Sequence, residues 1–180
     1  VLPALEQLIA DHRARLDALL DNPELQDFDS LVVPLESMSH ELSRVWSPVS
    51  HLQSVLGDPA WRDAYDKALP LITEHGAEIS QNARLQLAYQ RIADALPESA
   101  SAAQKMLLEQ ELRDFRLAGV ALPEAEKARY RALVQELAST QAQFEHNVQD
   151  AADNWSFHTE DRALLEGLPA QTLEQAGAEA

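Results

Sequence analysis

The sequence predicts an all-α fold: an antiparallel bundle of about five long helices followed by short C-terminal helical pieces. Three observations lead there. Ala, Leu, Glu and Gln are common while only 5 of 180 residues are Gly, a composition that favours helix over strand. Apolar residues recur at steps of three and four. No segment alternates with period two, as a half-buried strand would. The length suits a single helical domain, residues 1–180, in which a compact fold buries roughly 70% of the surface its unfolded chain exposes.

The first helix sets Leu5, Leu8, Ile9, His12, Leu16, Leu19 and Leu20 on one face and stops at Asn22-Pro23. Asp27, Asp29 or Ser30 can cap the second, whose stripe is Leu31, Leu35, Met38, Leu42 and Val45. Pro34 predicts a small kink near its start, and Ser47-Pro48 predicts an end or a bend. Gly57-Asp58-Pro59 opens the third helix, with Asp58 as N-cap and Pro59 in the first position. Its stripe of Trp61, Tyr65, Ala68 and Ile72 runs on through Ile79 and Ala83, with Leu87 or Ala88 and Ile92 able to extend it, and a kink is expected at Pro70.

Leu96-Pro97-Glu98-Ser99 reads as a turn. Ser101 caps a fourth helix that carries Leu108, Leu112 and Phe115 and closes on Gly119, with Arg116 in its last turn. The fifth opens at Pro123. Its expected seam is Tyr130, Val134, Leu137, Gln141, Phe144, Val148, Ala151 and Trp155, the spacing of a helix packed lengthwise on another. Short helical pieces are expected at 160–166 and 169–176.

Charge and composition narrow the function. A formal net charge of −16 opposes nucleic-acid backbones and anionic membrane surfaces. No apolar run approaches the roughly 20 residues that cross a bilayer, and no signal peptide is visible. The absence of cysteine rules out thiolate metal sites and a thiol nucleophile, and fits a cytoplasmic location. The chain opens without Met, inside a helical pattern, so it reads as a fragment of something longer.

Chemistry is sparse. His40-Glu41-Leu42-Ser43-Arg44 begins like H-E-x-x-H, in which two imidazoles one helical turn apart share zinc. Here the second position is Arg44, whose guanidinium has no lone pair to give. Glu41 and Arg44 read instead as a weak i, i+3 surface pair. None of the six histidines has Glu three residues before it, which removes the Glu-x-x-His di-iron pattern. His12, on the apolar stripe, reads as a hydrogen-bonded core residue, and His146 reads as exposed. No nucleophile elbow or phosphate loop occurs. The residues define no catalytic and no metal-binding group.

Two places stand out. Trp46 and His51 flank Pro48 and could line a groove, although core packing of Trp46 and capping by Ser50 explain them as well. Gln141, Asn147 and Asp150 put polar groups at or beside the expected seam. Buried polar groups need partners, so these three read as structural bracing, with ligand contact as the alternative.

Several strings resemble the N-terminal region of the thimet oligopeptidase and neurolysin family of zinc metallopeptidases. They include Val33-Pro34-Leu35, the run from Arg44 to Leu52 (RVWSPVSHL), Arg62-Asp63-Ala64-Tyr65, Leu69-Pro70-Leu71 and the run from Leu112 to Pro123 (LRDFRLAGVALP). Phe144, Asn147-Val148, Asp150, Trp155 and Leu168-Pro169 also fit. The resemblance implies a parent enzyme that uses zinc to cleave short peptides in a deep channel. This segment would supply much of the N-terminal lobe and pack against a C-terminal catalytic lobe that carries H-E-x-x-H. No zinc ligand or catalytic base is implied for any residue here, so the isolated fragment is expected to be inactive, without cofactor, and prone to self-association. The competing expectation is a free-standing acidic helical-bundle interaction module; a generic bundle of that kind requires neither RVWSPVSHL nor LRDFRLAGVALP.

Overall fold

The computed structural model describes residues 1–22, 27–56 and 58–178. The stop expected at Pro23 and the Gly57 of the third helix's opening lie outside the described residues. Those described are all-α, with no strand among them. The helices are α1 (Leu2–Asp21), α2 (Val33–Leu56), α3 (Pro59–Ser80), α4 (Ala83–Ala95), α5 (Ala102–Leu117), α6 (Glu124–Asp153) and α7 (Ala170–Ala178). A π-helical turn, Phe28–Val32, leads into α2, and a 3-10 turn, Arg162–Leu165, precedes α7. Two compact units divide the chain, Val1–His146 and Asn147–Ala180.

Local chemistry sets most boundaries in the first unit. The Asp27 carboxylate accepts from Ser30 N at 2.8 Å while Asp27 N donates to Ser30 Oγ at 3.2 Å. Asp58 accepts from Ala60 N at 2.7 Å and Trp61 N at 3.3 Å. Ser101 and Gln104 form a reciprocal capping box. α5 ends in a Schellman closure: Val120 N donates to Phe115 O and Gly119 N to Arg116 O, each at 3.1 Å. Gly119 has φ +76°, the left-handed conformation that favours glycine.

Two expectations about length need correction. The third helix breaks at Gln81-Asn82, where the Asn82 side chain accepts from Leu85 N at 3.0 Å and starts α4. The stripe hid this break because Ile79 and Ala83 stand four residues apart across it, one ordinary helical step. α2 runs through Pro48 to Leu56. A proline removes one rung of the hydrogen-bond ladder, but Val49 and Gln53 just beyond it are buried, and their packing carries the helix on.

The core is built from helix stripes. α1, α2 and α3 pack on one another, α4 packs on α5, and α1 also meets α4. Leu5, Ile9 and Ala68 form one cluster, joined by Leu42, Leu71 and Ile72. Leu16, Leu31, Met38, Tyr89, Leu108 and Phe115 belong to a second. Val49, Tyr65 and Ala142 form a third, which ties α6 to α2 and α3. Full burial of a side chain such as Leu5 contributes about 1.5–3 kcal/mol.

The seam expected on α6 does not hold. Leu137 is 58% exposed and Phe144 68% exposed, whereas Lys127, Ala142 and His146 are buried. Burial of His146 also corrects its expected exposure. The small Ala142 lets α6 approach Val49 and Tyr65 closely, so the helix turns a face of low apolar content inward and leaves its richest apolar face outside.

Candidate functional site

Trp46 stacks on Tyr65, with centroids 5.1 Å apart and planes 18° from parallel. It is half-buried and packs against the clusters of Leu5 and of Val49. His51 is exposed one and a half turns further along α2, where its backbone carbonyl accepts from Ser54 Oγ at 2.8 Å. Gln141 lies exposed on α6 in the first unit. Asn147 and Asp150 are exposed in the second unit, where Asp150 O accepts from Asn154 Nδ2.

The His-Glu pair on α2 has a structural partner that the sequence does not reveal. Glu41 accepts from Arg15 Nη1 of α1 at 2.6 Å, and His12 Nε2 lies 3.4 Å from the same oxygen. Glu41 therefore pairs across helices rather than with Arg44. The Arg15 hydrogen bond, followed by that of His12, holds the Glu41 carboxyl below its ordinary range. His12 and His75 are both buried, with ring centroids 5.9 Å apart. Arg13 donates twice to Glu78, each bond 2.8 Å long. Burial and then the neighbouring His12 hold the His75 imidazole below its usual value, against the opposing pull of Glu78.

These groups do not fit a zinc centre. Glu41 is committed to Arg15, His40 is exposed, and Arg44 occupies the place of the second imidazole. No cluster of three His, Asp or Glu side chains able to hold a metal is found among the described residues.

A second polar junction is absent from the sequence reading. Gln81, 6% exposed, donates from Nε2 to Ala118 O at 3.0 Å and accepts from Arg131 Nη1 at 2.8 Å. One amide thus joins the break between α3 and α4 to the end of α5 and to α6. The available signal was Gln81-Asn82 inside an otherwise apolar-striped helix, a polar pair suited to a cap. Elsewhere, His146 Nε2 stands 3.8 Å from Asp66 Oδ1 without a hydrogen bond.

The helices, the LRDFRLAGVALP closure and the stacked Trp46 describe an all-α scaffold. Residues 5–127 match the family model described as the neurolysin/thimet oligopeptidase N-terminal domain, and the chain belongs to this family. It is 37% identical to oligopeptidase A of Haemophilus influenzae over 98% of its own length and 26% of that protein's. Oligopeptidase A of Escherichia coli is 33% identical, with 100% of this chain and 27% of the relative covered. A probable cytosolic oligopeptidase A of Arabidopsis thaliana is 29% identical over 96% of this chain and 25% of its own. The chain thus spans about a quarter of the length of the curated relatives it matches. No helix among the described residues is long and apolar enough to cross a membrane.

Proposed function

We propose that this chain is the N-terminal lobe of a zinc-dependent metalloendopeptidase that degrades short peptides, and that it forms part of the wall of the substrate channel. The family match over residues 5–127 carries this reading. The outward face of α6 supports it. Leu133, Leu137 and Phe144 are 54%, 58% and 68% exposed and lie at helical steps of four and seven, on one side. Such a face suits burial against another part of the same enzyme, here the C-terminal catalytic lobe.

The lobe would act by exclusion. Walls around a buried active site admit flexible peptides and keep folded proteins out, and motion of one lobe against the other would gate entry and release. Zinc and its ligands would belong to the catalytic lobe, because Arg44 and the engaged Glu41 leave no ligand set here. Trp46 and His51 are proposed to line the groove side of α2, and Gln141, Asn147 and Asp150 to brace backbone. A cytoplasmic location belongs to the same proposal.

The test compares the 180-residue chain, the longer enzyme, and the longer enzyme lacking residues 1–180. Each is assayed on a quenched short peptide and on a folded protein carrying the same cleavable sequence, with and without chelator. The longer enzyme should cleave the free peptide only, in a chelator-sensitive way, and the 180-residue chain should cleave nothing. Chelator-sensitive hydrolysis by the isolated chain, or unaltered exclusion of the folded protein after removal of residues 1–180, would sink the proposal.

A further inference from the structure

Pro48 stands inside α2 and is exposed. A proline has no N–H for the carbonyl four residues back, so the Arg44 carbonyl loses its helical donor at the surface. Arg44, Pro48, His51 and Val55 follow at steps of four, three and four, which sets them in one line along the helix. All four are exposed. Val45, 39% exposed, and the half-buried Leu52 border the line on one side. The Ser43 and Ser47 hydroxyls, 3.4 Å apart, lie on the other.

The charge of this stretch is the reverse of the chain's. The chain has 30 Asp and Glu residues and a net charge of −16, yet the run from Leu42 to Leu56 contains neither Asp nor Glu. Its one full cation is Arg44, which makes no hydrogen bond and no ion pair among the described residues. Glu41, one turn earlier, is held by Arg15 at 2.6 Å. The line therefore carries an unanswered guanidinium, a backbone acceptor and apolar side chains, with no carboxylate of its own. From Arg44 to Val55 it runs about 16 Å, the span of about five extended residues.

We propose that this face of α2 is the part of the channel wall that holds short anionic peptides. The Arg44 guanidinium pairs with an Asp or Glu side chain of the peptide, the Arg44 carbonyl accepts a peptide N–H, and Val45 and Val55 hold the neighbouring apolar residues. Arg44 is then a specificity-determining residue. This role rests on the peptidase reading, because a substrate channel is what brings peptides to α2. A neutral partner would cover Arg44 and leave its charge unpaired. A cationic peptide would meet it with like charge. A long polyanion would extend past the 16 Å line into the field of the −16 chain. A short peptide escapes that field, which is screened over about 8 Å at physiological salt.

The experiment titrates the 180-residue chain with the end-blocked peptide Ala-Glu-Leu-Glu-Ala and, separately, with Ala-Gln-Leu-Gln-Ala, followed by amide chemical shifts. Saturable shifts from Arg44 to Val55 are expected with both, with the glutamate peptide about threefold tighter at low salt, the scale of one exposed ion pair. The preference should vanish in about 1 M NaCl, where the screening length falls to about 3 Å, and in Arg44→Gln. Arg116→Gln, at an exposed position on α5, should retain it. Both substitutions are at the surface, so the fold is kept. Equal affinity for the two peptides, a preference that survives in Arg44→Gln or disappears in Arg116→Gln, or shifts confined to other helices would overturn the proposal. Binding is read without cleavage, so its failure is distinct from a failure of the longer enzyme to hydrolyse peptides.

Discussion

α1 and the part of α6 in the first unit carry similar apolar stripes and meet opposite fates. On α1, Leu5, Ile9, His12 and Leu16 are all buried, against α2, α3 and α4. On α6, Leu133, Leu137 and Phe144 face outward while Ala142 and His146 face in. A stripe at helical spacing states that a helix has an apolar side; it does not state what covers that side. α1 finds its cover within the first 146 residues. α6 makes a close contact through a small residue and leaves its large apolar side chains exposed.

The widest contrast comes from truncation. Leu5→Ala should destabilise the chain by about 2–5 kcal/mol, because the site is closed on all sides and collapses incompletely, whereas Leu137→Ala should stay within about ±0.5 kcal/mol. Urea denaturation of both variants measures this directly, and a large loss in the α6 variant would show that its stripe is covered after all. In the longer enzyme the order should narrow, with Leu137→Ala costing more once the catalytic lobe is present.

Next in size is Gln81→Leu. It strands the Ala118 carbonyl and the Arg131 guanidinium together, an expected loss of about 1–3 kcal/mol. Unchanged thermal stability would remove Gln81 as the junction between the α3–α4 break and α6.

A smaller effect depends on pH. The folded His75 has a pKa below its ordinary 6.5, so the unfolded chain takes up this proton first. Its contribution to stability is complete above about 6.5 and is lost as pH falls from there toward the folded value. Replacement of His75 by Gln should flatten that limb of a stability-versus-pH curve; an identical slope in the variant would assign the acid sensitivity to other groups.

The smallest expected change in fold stability is the most informative about association. Phe144→Asp should leave the melt of the isolated chain within about 0.5 kcal/mol of the parent. It should also abolish the self-association expected of an uncovered apolar face, which sedimentation across a concentration series would report. Persistent association in this variant would place the sticky surface elsewhere.

Much of the scaffold was legible. Asp58, Ser101 and Gly119 marked three helix ends through chemistry that involves only their immediate neighbours. The α1 stripe was legible because a continuous run of apolar steps had a full set of partners. The break at Gln81-Asn82 was not, since the apolar step from Ile79 to Ala83 bridges it and the decisive bonds reach residues 37 and 50 positions away. The Glu41 pairing was misread for the same reason: its partners lie on α1, beyond any i, i+4 rule.

The sequence by itself determined the helical class, the caps and the family, since propensity, capping and matched strings are properties of contiguous residues. Only the tertiary structure decided which face of α6 turns inward, which cation answers Glu41, and which helices the Gln81 amide joins. Those outcomes depend on contacts between helices far apart in the chain, where the size of one residue such as Ala142 outweighs the apolar pattern of its own helix.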